Sequence, residues 1–400
     1  MCRRKNNRLT LHYTYFNEGE KMKSIFVLSI SVVLLVCRFA FGQQPEAIKH
    51  TIVAIEEGQF HGWPANNGVW AWGNEILVGF TQVEYEETEG HNIKEDAPQL
   101  SLLARSEDGG QTWQMFDPDK YVGDGGEKTK LDRAINFKRE GFAMRVFGTA
   151  YHGTDDPQAG FYYSYDKGIS WNGPYYLGGI AEQPRFHERI LTPRTDYIVL
   201  NEKECLIFIS SRIDGTGMSD DISVIYTKDG GLSFDILCPW VVPCSDPYRA
   251  VMPSTVQVSK NEFVMAIRRR VIADGHKTWI DCYKSEDGGK NWSFLSKVCD
   301  AGRHNGNPPA ITKLADGRLC CIYGNRTKKQ ILGRYSSDNG KTWEEEFVIR
   351  DNYYTGETGD MKDLGYPRLV QNKNGELVAI YYWASAEHKQ QHIAASIWKP

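Results

Sequence analysis

Five copies of one short pattern, Ser/Thr-x-Asp-x-Gly-x-Ser/Thr/Asn-aromatic, constrain this chain more than any other feature. They open at Ser106, Ser164, Thr227, Ser285 and Ser336, at intervals of 58, 63, 58 and 51 residues, and close on Trp113, Trp171, Phe234, Trp292 and Trp343. Each box has the chemistry of a hairpin turn. Asp and Ser/Thr side chains cap turn amides, Gly takes positive φ, and the aromatic returns to the core as the next strand begins. A repeat of this period built only from strands and turns specifies an all-β fold, a β-propeller with one box per blade.

Length sets the blade number. Gln43 to Pro400 spans 358 residues, which at about 57 per blade gives a six-bladed propeller, with a seven-bladed ring as the alternative. Strand pairs lead into each box: 75–80 with 100–105, 142–149 with 160–165, 197–210 with 222–226, 263–268 with 279–284, and 318–323 with 331–335. The sixth blade has no box. Its strands are 377–383 and 392–398, and the early strand 50–55 completes it, which closes the ring without an exposed edge.

Residues 1–21 read as an upstream extension from a misplaced start, with Met22 the natural initiator. Lys23 and the apolar run 24–36, followed by Ala40-Phe41-Gly42, read as a signal peptide over 22–42. The expected mature chain is therefore 43–400, secreted or periplasmic, without a membrane span after cleavage. Seven cysteines follow Gln43, an odd number without zinc spacing. No metal or cofactor is expected, and Cys238 with Cys244, or Cys282 with Cys299, are the possible disulfides. The 47 basic and 51 acidic residues nearly cancel, which argues against a nucleic-acid partner. A monomer is expected.

Inner strands of a propeller end at the mouth of a central channel, so polar residues at blade starts are the candidates for chemistry. These include Asn66, Arg194, Asp196, Arg249, Arg268, Arg270, His304, Asn307, Arg326, Tyr366 and Arg368. Arg194, Arg249 and His304 share a register, falling 33, 36 and 32 residues before the next box. Arg forks pair bidentately with carboxylates, and Asn, Asp and aromatic faces bind sugar rings, so this set suits a glycan bearing a carboxylate. Two other readings stay open: Arg194 and Asp196 as an inter-blade ion pair, and Trp63, Trp70 and Trp72 as core.

The boxes resemble the Asp-box, or bacterial neuraminidase repeat, of the sialidase superfamily, over almost all of the chain beyond residue 45. That resemblance implies three arginines on a substrate carboxylate, a Tyr nucleophile activated by a Glu, and an Asp acid/base. By position, Arg326, ten residues before Ser336, matches a triad arginine, Arg268 or Arg270 the preceding one, and Tyr366 the nucleophile. The family's opening Arg-Ile-Pro is replaced by Gly62-Trp63-Pro64-Ala65, and no Asp follows at the acid/base distance. The resemblance thus implies an exo-acting, sialidase-like glycosidase. The alternatives are a rhamnosidase or lyase on rhamnosyl-glucuronate glycans, with His61 or His304 as the catalytic histidine, and a non-catalytic glycan-binding propeller.

Overall fold

A computed structural model describes residues 45–400 except 46, 89, 122, 124–125, 149–157, 188, 214–219, 243–247, 272–275, 304–305 and 358. The expected extension and signal peptide lie outside the described residues, as do His304 and Cys244. Among the described residues no helix is long and apolar enough to cross a membrane.

Six antiparallel sheets make a six-bladed propeller. Strand β1 (Lys49–Ala54) belongs to the last blade. The first blade holds β2 (Gln59–Gly62), β3 (Val69–Trp72), β4 (Glu75–Glu84), β5 (Leu100–Ser106) and β6 (Gln114–Phe116). The second holds β7 (Ala143–Gly148), β8 (Ala159–Ser164) and β9 (Asn172–Tyr176). In the third lie β10 (Arg189–Leu191), β11 (Tyr197–Val199), β12 (Cys205–Ile213), β13 (Asp220–Thr227) and β14 (Asp235–Val242). The fourth is β15 (Tyr248–Gln257), β16 (Phe263–Val271), β17 (Lys277–Ser285) and β18 (Ser293–Asp300). The fifth is β19 (Ala310–Lys313), β20 (Leu319–Asn325), β21 (Gln330–Ser336) and β22 (Phe347–Arg350). In the sixth, β23 (Gly365–Gln371), β24 (Leu377–Trp383) and β25 (His392–Trp398) are completed by β1, which pairs Lys49 with Ile397 and Thr51 with Ala395. The first and last strands therefore share a sheet, as the sequence predicts.

The five boxes are the turns that follow β5, β8, β13, β17 and β21. In the first, Asp108 Oδ1 accepts from the Ser106 hydroxyl at 2.8 Å and from the Gln111 and Thr112 amides at 2.9 Å, while Oδ2 accepts from the Thr112 hydroxyl at 2.6 Å. Gly110 sits at φ 97°, which a side chain rarely adopts. Trp171 and Phe234 then bury themselves between blades. Because these turns follow strands that run in the same direction as the inner strands, they lie on the face opposite the start of the inner strands.

The core is divided among the blade interfaces. Cys320 packs toward Leu377 and Trp398 of the sixth blade, while its neighbour Cys321 packs toward Val264 and Ile280 of the fourth. Strand alternation thus buries both thiols, on opposite faces of one sheet. Cys282 and Cys299 are both free and buried, and Cys238 is free, so the alternative of a Cys282–Cys299 disulfide is corrected. The run 197–210 divides into β11 and β12 because the Leu200 amide closes a tight turn on Glu204. His392, the first residue of β25, is buried within the sixth blade.

Proline interrupts the inner strands at one level. Pro64 opens a helical turn that separates β2 from β3, and Pro193 lies between β10 and β11. Met252-Pro253 and Tyr366-Pro367 fall within register shifts of β15 and β23. Pro308-Pro309 precede β19. A proline cannot donate to a ladder, so the strand bulges there. The residue before it is thrown into left-handed backbone in three blades: Trp63 at φ 59°, Met252 at 56° and Tyr366 at 48°.

Candidate functional site

Inner strands begin, and second strands end, on the same face of the ring, so residues of both kinds surround one mouth. There Arg326, immediately after β20, meets the residues around β23 and β24. Its Nη2 donates to Asp363 Oδ1 and to the Tyr382 hydroxyl, both at 2.9 Å, and its guanidinium lies 5.9 Å from the centre of the Tyr366 ring. Tyr382 in turn donates to Asp363 Oδ1 at 2.6 Å.

Asp363 is the hub of this cluster. It is buried, and His91 Nδ1 lies 3.1 Å from both of its oxygens. Burial would raise its carboxyl, but the charge of and bond from His91, then Arg326 and the Tyr382 hydroxyl, outweigh it and hold the carboxyl below its ordinary range. The His91 imidazole is 37% exposed and packs edge-on against Trp63, with ring centres 5.0 Å apart. Nδ1 is therefore fixed on a buried carboxylate while the side chain remains partly exposed. Beside it, between 87–92 and 360–362, opens a cavity of about 640 Å³ lined by Glu87, Thr88, Asn92, Asp360 and Lys362.

Tyr366 is held from below by Asn307, which is fully buried and accepts the Tyr366 amide on Oδ1 at 2.6 Å. Asn307 is wedged against two glycines. A Cβ on Gly365, whose φ is 106°, would lie 2.1 Å from Oδ1, and one on Gly324 would lie 2.8 Å from its Cγ. The Tyr366 hydroxyl bonds nothing among the described residues, whereas that of Tyr382 is engaged twice.

The other predicted residues form separate groups. Arg368 donates to the carbonyls of Ala65 and Thr195, deeper along the axis, beside a cavity of about 280 Å³ that Asp196, Ser254 and Ala310 also line. Asp196 accepts from the amide and hydroxyl of Thr255 at 3.2 and 2.9 Å. Burial pushes its carboxyl up to about 7 although Arg368 pulls it down, and burial lowers Arg368 to about 10. The charge acting on Asp196 is therefore Arg368 in place of Arg194. Arg194 donates to the Pro193 carbonyl at 2.8 Å and lies near enough to Arg368 to repel it.

Arg249 forms a buried ion pair with Asp220. Arg268 and Arg270 are buried at the mouth end of β16, and Arg269 between them turns the other way to the Arg249 carbonyl and the Tyr283 hydroxyl. Asn66 is half-buried in the helical turn. His61 is wholly buried, with Nε2 on Gln82 Oε1 at 3.0 Å, and burial lowers it to about 4.

His91, Asp363 as hub and Tyr382 were not among the residues singled out from sequence. His91 and Asp363 come from loops that no periodicity marks, and Tyr382 sits in an apolar strand.

The sequence pattern described as a BNR repeat-like domain matches residues 93–379. The chain belongs to this BNR repeat-like family. A protein of unknown function from Dyadobacter fermentans DSM 18053 shares the fold at TM-score 0.66 and 20% identity, over 88% of this chain and 99% of that one. The Hadza microbial sialidase Hz136 aligns at TM-score 0.56 and 16% identity, over 85% of this chain and 66% of that one. A mutant Trypanosoma rangeli sialidase displaying trans-sialidase activity aligns at TM-score 0.54 and 10% identity, over 89% and 60%. This BNR propeller thus spans about two thirds or less of those two sialidases, and at such identities the likeness is one of fold. No curated protein matches the sequence.

Proposed function

We propose that this BNR propeller is an exported enzyme that cleaves a glycosidic bond at the mouth beside His91, acting from the end of a glycan. The observation that carries this reading is the His91–Asp363 pair. A buried carboxylate orients the imidazole, the side chain stays partly exposed, and a cavity of sugar size opens beside its neighbours Gly90 and Asn92. His91 is then the proton donor to the departing sugar oxygen. The free hydroxyl of Tyr366 faces the sugar. Arg326 and Tyr382 hold Asp363 and act as positioning residues.

A sialidase-type grip is the second reading, favoured by the position of Arg326 and Tyr366 on adjacent blades. It requires Arg326 to leave Asp363 for a substrate carboxylate, and a carboxylate to activate Tyr366. The carboxylate that lies within this cluster instead bonds Tyr382. The rhamnosyl-glucuronate reading needs no such rearrangement, because a histidine does the proton transfer.

The test is turnover by the parent, His91→Gln and Tyr366→Phe on sialyl-lactose and on rhamnosyl-glucuronate oligosaccharides, with ultraviolet absorbance reporting any unsaturated product. His91→Gln should lose about a hundredfold or more in kcat with the melting temperature kept. Full activity of that variant removes His91 from the chemistry. Loss on sialyl-lactose alone, with Arg326→Lys equally impaired, would instead favour the sialidase-type grip. Export is tested separately by the N-terminal mass of the protein outside the cytoplasm, which should begin near Gln43.

A further inference from the structure

The third blade carries a second cleft on the same face as the mouth, across the ring from the sixth blade. Its walls come from the short 3-10 turn Pro184–Phe186, the start of β10, the end of β12 and the middle of β14. The cleft encloses about 500 Å³ between Arg185, His187, Arg189, Ile213 and Trp240. Trp240 is 52% exposed, an unusual placement for the largest apolar side chain.

Two guanidinium groups share one carboxylate here. Arg185 Nη2 lies 2.6 Å from Asp221 Oδ1, and Arg189 Nη1 lies 3.1 Å from Oδ2. Arg185 Nε is fixed on the Pro239 carbonyl at 3.0 Å, and the group lies 4.9 Å from the centre of the Trp240 ring. Among the described residues Nη1 of Arg185 and Nη2 of Arg189 bond nothing. The lining therefore has a surplus positive charge, rigidly held donors and an open aromatic surface. That combination suits a planar anion attached to an apolar ring face.

We propose that this cleft is a second glycan subsite, which stacks a sugar ring on Trp240 and binds the ring's carboxylate through Arg185 and Arg189. The ligand class is a uronate-bearing glycan. The inference rests on the reading of the mouth as a glycan-cleaving centre and extends it: the acidic unit is recognised on the third blade, away from the bond that is cleaved. A nucleic acid would offer anion and ring too, but the chain as a whole carries a formal charge of −4, which opposes a polyphosphate.

The experiment is calorimetric binding of the full-length protein to oligogalacturonate, to the same oligosaccharide methyl-esterified, and to dextran sulfate, in 0.15 M salt. The parent should bind oligogalacturonate, and Trp240→Ala and Arg189→Gln should each weaken it roughly tenfold or more at unchanged melting temperature. Methyl esterification should weaken binding comparably, since it removes the charge and keeps the ring. Parent-like affinity in Trp240→Ala, no binding by the parent, or dextran sulfate binding of equal strength and equal indifference to Trp240 would overturn the proposal. His91→Gln should bind oligogalacturonate as the parent does. Its loss of turnover and the loss of binding in Trp240→Ala are thus separate outcomes.

Discussion

Gly365 shows how one missing methylene group places a reactive side chain. Its φ of 106° and the Asn307 oxygen 2.1 Å from where a Cβ would stand leave no room for any other residue. Gly365→Ala should therefore push Asn307 off the Tyr366 amide, cost roughly 2–4 kcal/mol of stability and remove turnover; calorimetry and the glycosidase assay measure the two effects. The box aspartates are expected to behave oppositely. Asp287 Oδ1 accepts from the Ser285 hydroxyl and the Lys290 and Asn291 amides, and Oδ2 from the Asn291 side chain at 2.7 Å. Asp287→Ala should lose about 1 kcal/mol while KM and kcat stay at parent values, because its turn is on the far face. A fall in affinity at unchanged melting temperature would show that the box reaches the site. Both residues were singled out from sequence: the box by its repetition, Tyr366 by its match to the position of the sialidase-superfamily nucleophile. That Tyr382, and not Tyr366, bonds Asp363 was not legible, because nothing local ties residue 363 to residue 382.

Among the strands, β25 carries the closure. It is buried along its whole length between β24 and β1, and β1 comes from the other end of the described chain. A protein that starts at Gln59 should expose the apolar β25 as a new edge, which pairs readily with another chain. Light scattering and size exclusion should show it aggregated, whereas the chain from Gln43 stays monodisperse. A monodisperse, fully active truncated protein would mean that the ring does not depend on this strand. The proline breaks work at the same scale. Each interrupts a ladder at the inner edge, where no further strand lies inward to lose a partner. Trp63 and Tyr366 both take left-handed backbone at such breaks, and Trp63 packs against His91. A reading of strand propensity alone passes over these positions, since proline and left-handed backbone both count against a strand.

For the whole molecule, the response to acid is a balance: the buried histidines lose stability as pH falls, while Asp196, raised to about 7 by burial, gains it over the same range. His61 and His392 are lowered to about 4, chiefly by burial. Between the ordinary histidine value of 6.5 and 4 the unfolded chain takes up protons that the native state refuses, so their contribution to stability falls as pH falls through that window. The loss is on the order of 3 kcal/mol for each group at the acid end. Urea midpoints from pH 7 to 4 should fall less, or rise more, in His61→Gln with His392→Gln than in the parent; an equal pH dependence would assign acid sensitivity elsewhere. The sequence by itself determined the architecture, because a five-times repeated turn and the chain length specify blades and their number without any knowledge of contacts. It also pointed to the starts of the inner strands as the place for chemistry, because every blade brings that end to the same face. Only the tertiary structure decided which charges meet: Arg326 with Asp363, Arg249 with Asp220, Arg368 with Asp196. Such pairs join segments from 29 to more than 170 residues apart, and their energy depends on burial and on distances within a few ångströms, quantities that exist only once the ring has closed.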